Sequence, residues 1–284
     1  MPGHRIKTAL ALLLFPAAIS AQQNAIPAGF AVPANNISYA DIADLVVIAP
    51  LIVDAQIRKT TQIPPDQAPG VPATIQRLLV EADVLALLRG NEGIAGTVRF
   101  TLDVPKDAKG KIPKLKKQRF FLLGSKSAGL PGTIRLARPD ALIVWSANND
   151  AMLRAITKEA VLIDAPQPVI ALTSGFHSPG TIVGEGESQI FVEAKARQIY
   201  SLSVLSRPGM AKSWSVSTGE VIDASASAPA KNTLLWYRLA CGLPQTLDAK
   251  LVETTDPENV ERAQADYRFV IQSLGPCDRT RKFR

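Results

Sequence analysis

Histidine, cysteine and methionine, the side chains that supply nitrogen and sulfur ligands to transition metals, are scarce in this chain of 284 residues. It contains two histidines, two cysteines and three methionines. His4 lies in the extreme N-terminal segment, so His177 is the only histidine in the rest of the chain. Sites built from several histidines and mechanisms that need two of them are therefore excluded, and we expect neither a metal nor another cofactor.

Motifs of known catalytic machinery are absent as well. The chain has no GxSxG or SxxK nucleophile motif, no HExxH zinc motif and no glycine-rich phosphate loop. Hydrophobic residues make up 46% and charged residues 20%, which excludes disorder throughout and collagen-like repeats. The composition indicates a globular protein without a catalytic signature.

The N-terminal segment predicts export. A basic start with Arg5 and Lys7, an apolar run over residues 8–19 and small residues at Ser20 and Ala21 form the pattern of a secretory signal peptide over residues 1–21. Cleavage after Ser20 and cleavage after Ala21 both remain open. The chain is thus expected to be exported, to the periplasm or beyond the cell.

Three features extend this prediction. Residues 22–36 have no hydrophobic periodicity and predict a flexible lead-in. No later stretch approaches the roughly 20 apolar residues that span a bilayer, so no transmembrane segment is expected in the mature chain. In an oxidising compartment, the even pair Cys241 and Cys277 predicts one structural disulfide, since neither cysteine belongs to a CxxC motif.

Positive charge is concentrated in one segment. The formal net charge is +7, and residues 106–119 hold seven basic residues against one acid, Asp107. The basic residues are Lys106, Lys109, Lys111, Lys114, Lys116, Lys117 and Arg119. We predict that this segment, called the basic loop below, contacts an envelope protein or an anionic glycan or lipid. The alternative is a solvated hairpin tip whose lysines prevent edge pairing.

Nucleic acid is not an expected partner of the basic loop. No aromatic side chain interrupts its lysines before Phe120, whereas proteins that bind single strands stack bases on aromatic rings. Export makes such a partner less accessible still.

Hydrophobic alternation predicts a mainly β, α+β fold. The segment from Val98 to Val104 has apolar residues at every second position, as in a half-buried strand. Five such segments follow one another without an intervening long helix, which predicts an OB-like, five-stranded antiparallel barrel over residues 37–165. Residues 166–284 predict a smaller β-rich domain with C-terminal helices.

Capping residues predict the helices. Ser38, Asn148 or Asn149, and Asn232 or Thr233 each precede a short helical pattern. The last helix is predicted to follow the cap Asp256, with Pro257 at its first position, and to end at Gly275.

The strand succession resembles that of netrin-like, or TIMP-like, OB-fold domains of exported proteins. The resemblance rests on DLVVIAPLIVDAQI from Asp44, VEADVLALLRGN, AGTVRFTLDVP and RFFLLG, within residues 44–145. It implies the barrel fold. In the protease-inhibiting members a free N-terminal cysteine contacts the target metal, and this chain has no cysteine near its expected mature N-terminus. The resemblance therefore implies no protease inhibition.

Two other functions remain open beside an exported, non-enzymatic binding protein. His177 lies near Ser174 and Glu187 on a stretch rich in glycine and serine, where a histidine beside a serine can act as a general base in a hydrolase. A structural component of the envelope is the third possibility.

Overall fold

The computed structural model describes residues 37–218 and 226–281. The predicted signal peptide, 1–21, and the lead-in, 22–36, lie outside the described residues. The helices are α1 (Tyr39–Val46), α2 (Ala147–Ala160), α3 (Leu234–Gly242) and α4 (Pro257–Leu274). The strands are β1 (Leu51–Gln62), β2 (Ile75–Arg89), β3 (Thr97–Pro105), β4 (Arg119–Lys126), β5 (Ile134–Leu136), β6 (Leu142–Val144), β7 (Val169–Pro179), β8 (Gly186–Ala194), β9 (Ile199–Ser206) and β10 (Ser213–Thr218).

The first sheet curls into a nearly closed barrel, which confirms the predicted fold class. Its strands follow the order β3-β2-β1-β4-β5, with β6 paired to β4. The two ends of this order meet where the Arg99 amide donates to the carbonyl of Gly132 at 2.8 Å, beside a parallel bridge from Arg99 to Thr133. Each inner strand is thereby paired on both sides, which leaves few unpaired backbone groups.

The central strands of the barrel are buried on both faces. Val53 and its partner Leu122 belong to the apolar cluster that fills the barrel. Their neighbours Ile52 and Leu123, one residue along each strand, belong to a second cluster outside it. Strand β3 instead buries alternate residues, because only one of its faces meets a core.

The second cluster joins the barrel to a four-stranded antiparallel sheet of order β10-β9-β8-β7. Inward residues of this sheet, including Ile190 and Leu202, pack in the same cluster as α1 and the helices α3 and α4. The predicted domain boundary after residue 165 falls between α2 and β7. Because one core crosses that boundary, the independence of the two parts stays a prediction.

Helix α1 lies at the centre of this shared core. All eight of its residues are buried, including two acids, Asp41 and Asp44. Residues 279–281 satisfy both: Asp41 accepts hydrogen bonds from the amides of Thr280 and Arg281 at 3.0 and 2.9 Å. Asp44 accepts two from the guanidinium of Arg279, at 2.6 and 2.9 Å, and one from the Tyr237 hydroxyl at 2.7 Å.

Three of the four predicted helix starts are confirmed. The side chains of Ser38, Thr233 and Asp256 cap α1, α3 and α4. For α2 the prediction is wrong, because Ser146 is the cap: its hydroxyl accepts from the Asn149 amide at 3.1 Å. Asn149 lies in the first turn of α2, and its side chain donates instead to the carbonyl of Val144, the last residue of β6.

The predicted disulfide is confirmed. Cys241 near the end of α3 is bonded to Cys277, just beyond α4. The two cysteines are 36 positions apart in the sequence. A loop of that size stabilises a fold by about 3–4 kcal/mol in the chain-entropy treatment. No helix among the described residues is long and apolar enough to cross a membrane.

Closure of the barrel depends on Gly124, where β4 is paired with β1 along one edge and with β5 along the other. A Cβ atom at this position would lie 2.1 Å from the carbonyl oxygen of Arg135. We expect Gly124→Ala to lower the free energy of unfolding by about 2–3 kcal/mol, because backbone atoms would have to move apart. Gly96, which has open space around it, supplies the control. In urea denaturation, equal stabilities of Gly124→Ala and Gly96→Ala would contradict the prediction.

Candidate functional site

The basic loop connects β3 to β4 and carries most of its lysines on the surface. Lys109, Lys111, Lys114, Lys116 and Lys117 are exposed, and Lys106 is half-buried. Within residues 37–218 and 226–281, none of these lysines forms an ion pair with an acid; Lys106 Nζ donates to the carbonyl of Ala73 at 3.1 Å. The charges of the exposed lysines are therefore available to a partner.

The backbone of the basic loop is anchored at several points. Leu115 is only 3% exposed and belongs to the cluster inside the barrel. The Lys117 amide donates to the carbonyl of Ile57 at 2.8 Å. The Asp107 carboxylate accepts from the amides of Lys109 and Lys111, both at 2.8 Å. These contacts hold the lysines in a defined arrangement.

Arg119, the last predicted residue of this set, has a different environment. Its guanidinium donates two hydrogen bonds to the buried carboxylate of Asp54, at 2.8 and 2.6 Å, and lies 4.1 Å from the ring centre of Trp145. These bonds to Asp54 raise the pKa of Arg119. Its charge is thus neutralised by Asp54, and Arg119 is not part of the contact surface.

His177 lies on the inner face of β7 and starts a hydrogen-bonded chain to α4. Its Nδ1 is 2.9 Å from the hydroxyl of Ser188, which donates to the Asp266 carboxylate at 2.6 Å. The other oxygen of Asp266 accepts from Lys212 Nζ at 2.5 Å. His177, Ser188 and Asp266 are all buried, whereas Lys212 reaches the surface.

This chain of bonds fixes the tautomer of His177. A serine hydroxyl has one proton, and Ser188 gives it to Asp266. Nδ1 of His177 must therefore carry the proton that Ser188 accepts, which leaves a lone pair on Nε2 when the ring is neutral. Nε2 is buried and has no hydrogen-bond partner among the described residues.

The structure separates the other residues of the predicted hydrolase site. Ser174 and His177 are an odd number of positions apart on β7, and Ser174 lines a different cavity, of about 510 Å³, with Phe191 and Ile199. Glu187 lies on β8 and accepts from the Ser203 hydroxyl at 2.8 Å. The hydroxyl beside His177 is that of Ser188, which is fully buried and donates its proton away from the ring. This geometry provides no activated nucleophile.

Sequence reasoning missed Ser188, Lys212 and Asp266, and one signal was available for Asp266. The buried face of α4 includes Ala263, Tyr267 and Val270, which form an apolar stripe at helical spacing in the sequence. Asp266 lies on that same face, three residues after Ala263 and four before Val270. An acid inside an apolar stripe indicates a buried partner, but no spacing in the sequence could identify it as Ser188, 78 positions away.

Comparison with known proteins adds no family to this geometry. The chain matches no protein-family model, and no curated protein matches it. The resemblance to netrin-like domains stays a prediction, and the barrel is the part of it that the structure shows. In the described part of the chain, no three side chains of histidine, cysteine, aspartate and glutamate are grouped so as to hold a metal ion.

Substitutions at two acids of α4 test how much the buried hydrogen bonds between His177, Ser188 and Asp266 contribute to stability. We expect Asp266→Asn to lower the free energy of unfolding by about 2–4 kcal/mol, because Lys212 and Ser188 lose a buried anionic acceptor. Glu258→Gln breaks only the surface pair with Arg262, which water screens, and should lower the free energy of unfolding far less. Chemical denaturation measures the free energy of unfolding of both variants. Similar losses would show that the buried hydrogen bonds of Asp266 stabilise the fold no more than a surface ion pair does.

The pKa of His177 gives a second prediction. Burial lowers it, the Asp266 carboxylate opposes that effect, Arg262 and Lys212 lower it further, and Glu258 raises it. In the unfolded chain the ring returns to the ordinary value of 6.5 and takes up its proton first. The free energy of unfolding should therefore fall as the pH falls through 6.5, and level off below the folded pKa.

The measurement is a comparison of the wild-type chain with His177→Asn from pH 8 to pH 5. Carboxylates titrate in both proteins, so the difference isolates His177, and the stability advantage of the wild type should narrow as the pH falls. Titration of the ring by NMR gives the folded pKa directly. A pKa at or above 6.5 would refute the prediction, even if the variant does not fold.

Proposed function

We propose that this protein is an exported, non-enzymatic binding protein whose basic loop contacts an anionic glycan or lipid of the cell envelope. The observation that carries the proposal is the set of five exposed lysines, without acidic partners in the described residues, on a loop whose backbone is anchored to the barrel. A solvated tip with no binding role requires neither the buried Leu115 nor the backbone bonds of Asp107 and Lys117.

The charge distribution supports an anionic partner. With the basic loop removed, the remaining charges of the chain nearly cancel, so the field of the protein is strongest at this loop. A basic side chain beside an anionic surface contributes about 1 kcal/mol, and that contribution is screened by salt. The interaction should thus weaken steeply as ionic strength rises.

The expected compartment rests on two observations. The predicted signal peptide indicates export, and the Cys241–Cys277 disulfide is the kind of bond that persists in oxidising surroundings. The hydrolase reading receives no support from the geometry of His177 and Ser188. A structural role in the envelope stays a prediction that the experiments below also address.

The decisive test compares two triple variants with the same change in net charge. Lys111, Lys114 and Lys116 are replaced by Gln in the first, and the exposed Lys158, Lys195 and Lys250 in the second. Binding to immobilised heparin and to phosphatidylglycerol vesicles should fall on the order of 100-fold at low salt in the first variant, from three contacts of about 1 kcal/mol each. The second variant should bind like the wild type.

The outcomes separate the alternatives. Equal losses in the two variants would assign binding to net charge and overturn the role of the basic loop. No binding of the wild type to either material would do the same. Retention on heparin but not on vesicles would identify a glycan as the partner, and the reverse would identify a lipid.

Crosslinking in cells then identifies the partner itself. The photoreactive residue belongs at Lys116, which is exposed, and not at its neighbour Leu115, which is buried in the barrel. Capture of a discrete lipid, glycan or protein from position 116, and none from Lys158, would establish the contact.

A further inference from the structure

A cavity of about 390 Å³ lies where the β7–β8 and β9–β10 hairpins meet α4. His177 and Gly186 line it from the first hairpin, Arg207 and Lys212 from the second, and Asp266 from α4. It lies on a different part of the chain from the basic loop, and none of the loop lysines lines it. Binding in this cavity therefore does not depend on the function proposed for the basic loop.

His177 presents an acceptor at this cavity. The side chain is 4% exposed, and the bonds to Ser188 fix the proton on Nδ1. The lone pair of Nε2 has no donor among the described residues, which is costly for a buried polar atom unless a ligand or water supplies one. A group that fills this position must therefore bring its own N–H or O–H.

Gly186 keeps this edge of the imidazole free. A Cβ at that position would lie 2.6 Å from Cε1 and 2.7 Å from Nε2 of His177. Any other residue would push into the imidazole edge that carries the lone pair. Glycine is required here for the close approach of two elements, and not for its backbone angles, since its φ is not positive.

The charged residues around the cavity differ in how they are paired. Lys212 is bound to Asp266 and Arg262 to Glu258, whereas Arg207 is exposed and has no ion pair in the described residues. Arg207 is thus the cation free to bind an anion, with Lys212 beside it. Glu185 also lines the cavity, and its carboxylate repels an anion, so Arg207 and Lys212 have to outweigh it.

We propose that this cavity binds hydrogen phosphate, the form of inorganic phosphate that keeps one P–OH at pH 8. Its P–OH donates to Nε2 of His177, and its anionic oxygens accept from Arg207 and Lys212. Sulfate has the same size and shape but carries no proton near neutral pH, so its oxygens would face the lone pair of Nε2. The arrangement therefore favours phosphate over sulfate.

The test follows the ring nitrogens of His177 by NMR in the full chain at pH 8, where the ring is neutral. Inorganic phosphate and sulfate are added separately at equal ionic strength. Phosphate should shift the Nε2 signal of His177 in a saturable manner, and sulfate should not. Equal effects of the two anions, or no effect of phosphate, would overturn the proposal.

Variants locate the contact. Arg207→Gln removes an exposed charge whose side chain has no ion pair within residues 37–218 and 226–281, and it should weaken phosphate binding about tenfold, as expected for a charged hydrogen bond. Arg268→Gln, at an exposed position of α4 outside the cavity lining, should leave it unchanged. The reverse result for these two variants would place the anion elsewhere and refute the assignment.

Two further arms complete the design. The triple variant of Lys111, Lys114 and Lys116 should bind phosphate at His177 like the wild type, so a failure of the proposed function leaves this result intact. Loss of the shift in that variant would overturn the cavity site. Glycerol 3-phosphate has lost its P–OH at pH 8, because the second pKa of a phosphate monoester is about 6. It should therefore bind more weakly than inorganic phosphate, and equal or tighter binding would overturn the role of Nε2.

Discussion

The buried acids of α1 are the constraint on which the two halves of the molecule depend. A helix with no exposed residue must be covered on every side, and the shared core, in which α2 and α3 lie against α1, provides that cover. Asp41 and Asp44 would be costly inside such a core without partners. Residues 279–281 supply most of these partners. Burial raises the pKa of Asp41, but the hydrogen bonds from Thr280, Arg281 and Ser38 together outweigh it and hold this pKa below its ordinary value.

Local signals in the sequence predicted local structure well. The alternation in β3, the caps Ser38 and Asp256, and the disulfide were readable because each depends on neighbouring residues or on composition. The cap of α2 was misplaced because Ser146 and Asn149 are both good capping residues, and the choice between them is decided by a bond from Asn149 to Val144. The shared core was not predicted, since it depends on which faces of β1 and β4 meet the second sheet.

The two candidate sites also differ in how far local sequence predicts them. The basic loop is contiguous, so composition alone was enough to find it, although only the structure shows that Leu115 points inward and that Arg119 is bound to Asp54. The His177 chain is assembled from β7, β8, α4 and the residue before β10. Sequence reasoning paired His177 with Ser174 because they are close in sequence, but the pleat of a strand sends residues an odd number apart to opposite faces.

The bonds between α1 and residues 279–281 also set an order of events for a growing chain. The acids of the first described helix find their partners more than 230 positions later, at Thr280 and Arg281. Until those residues are made, α1 can be buried only with both carboxylates short of these donors, so formation of the shared core before residue 279 is synthesised carries the free-energy cost of two poorly paired buried acids.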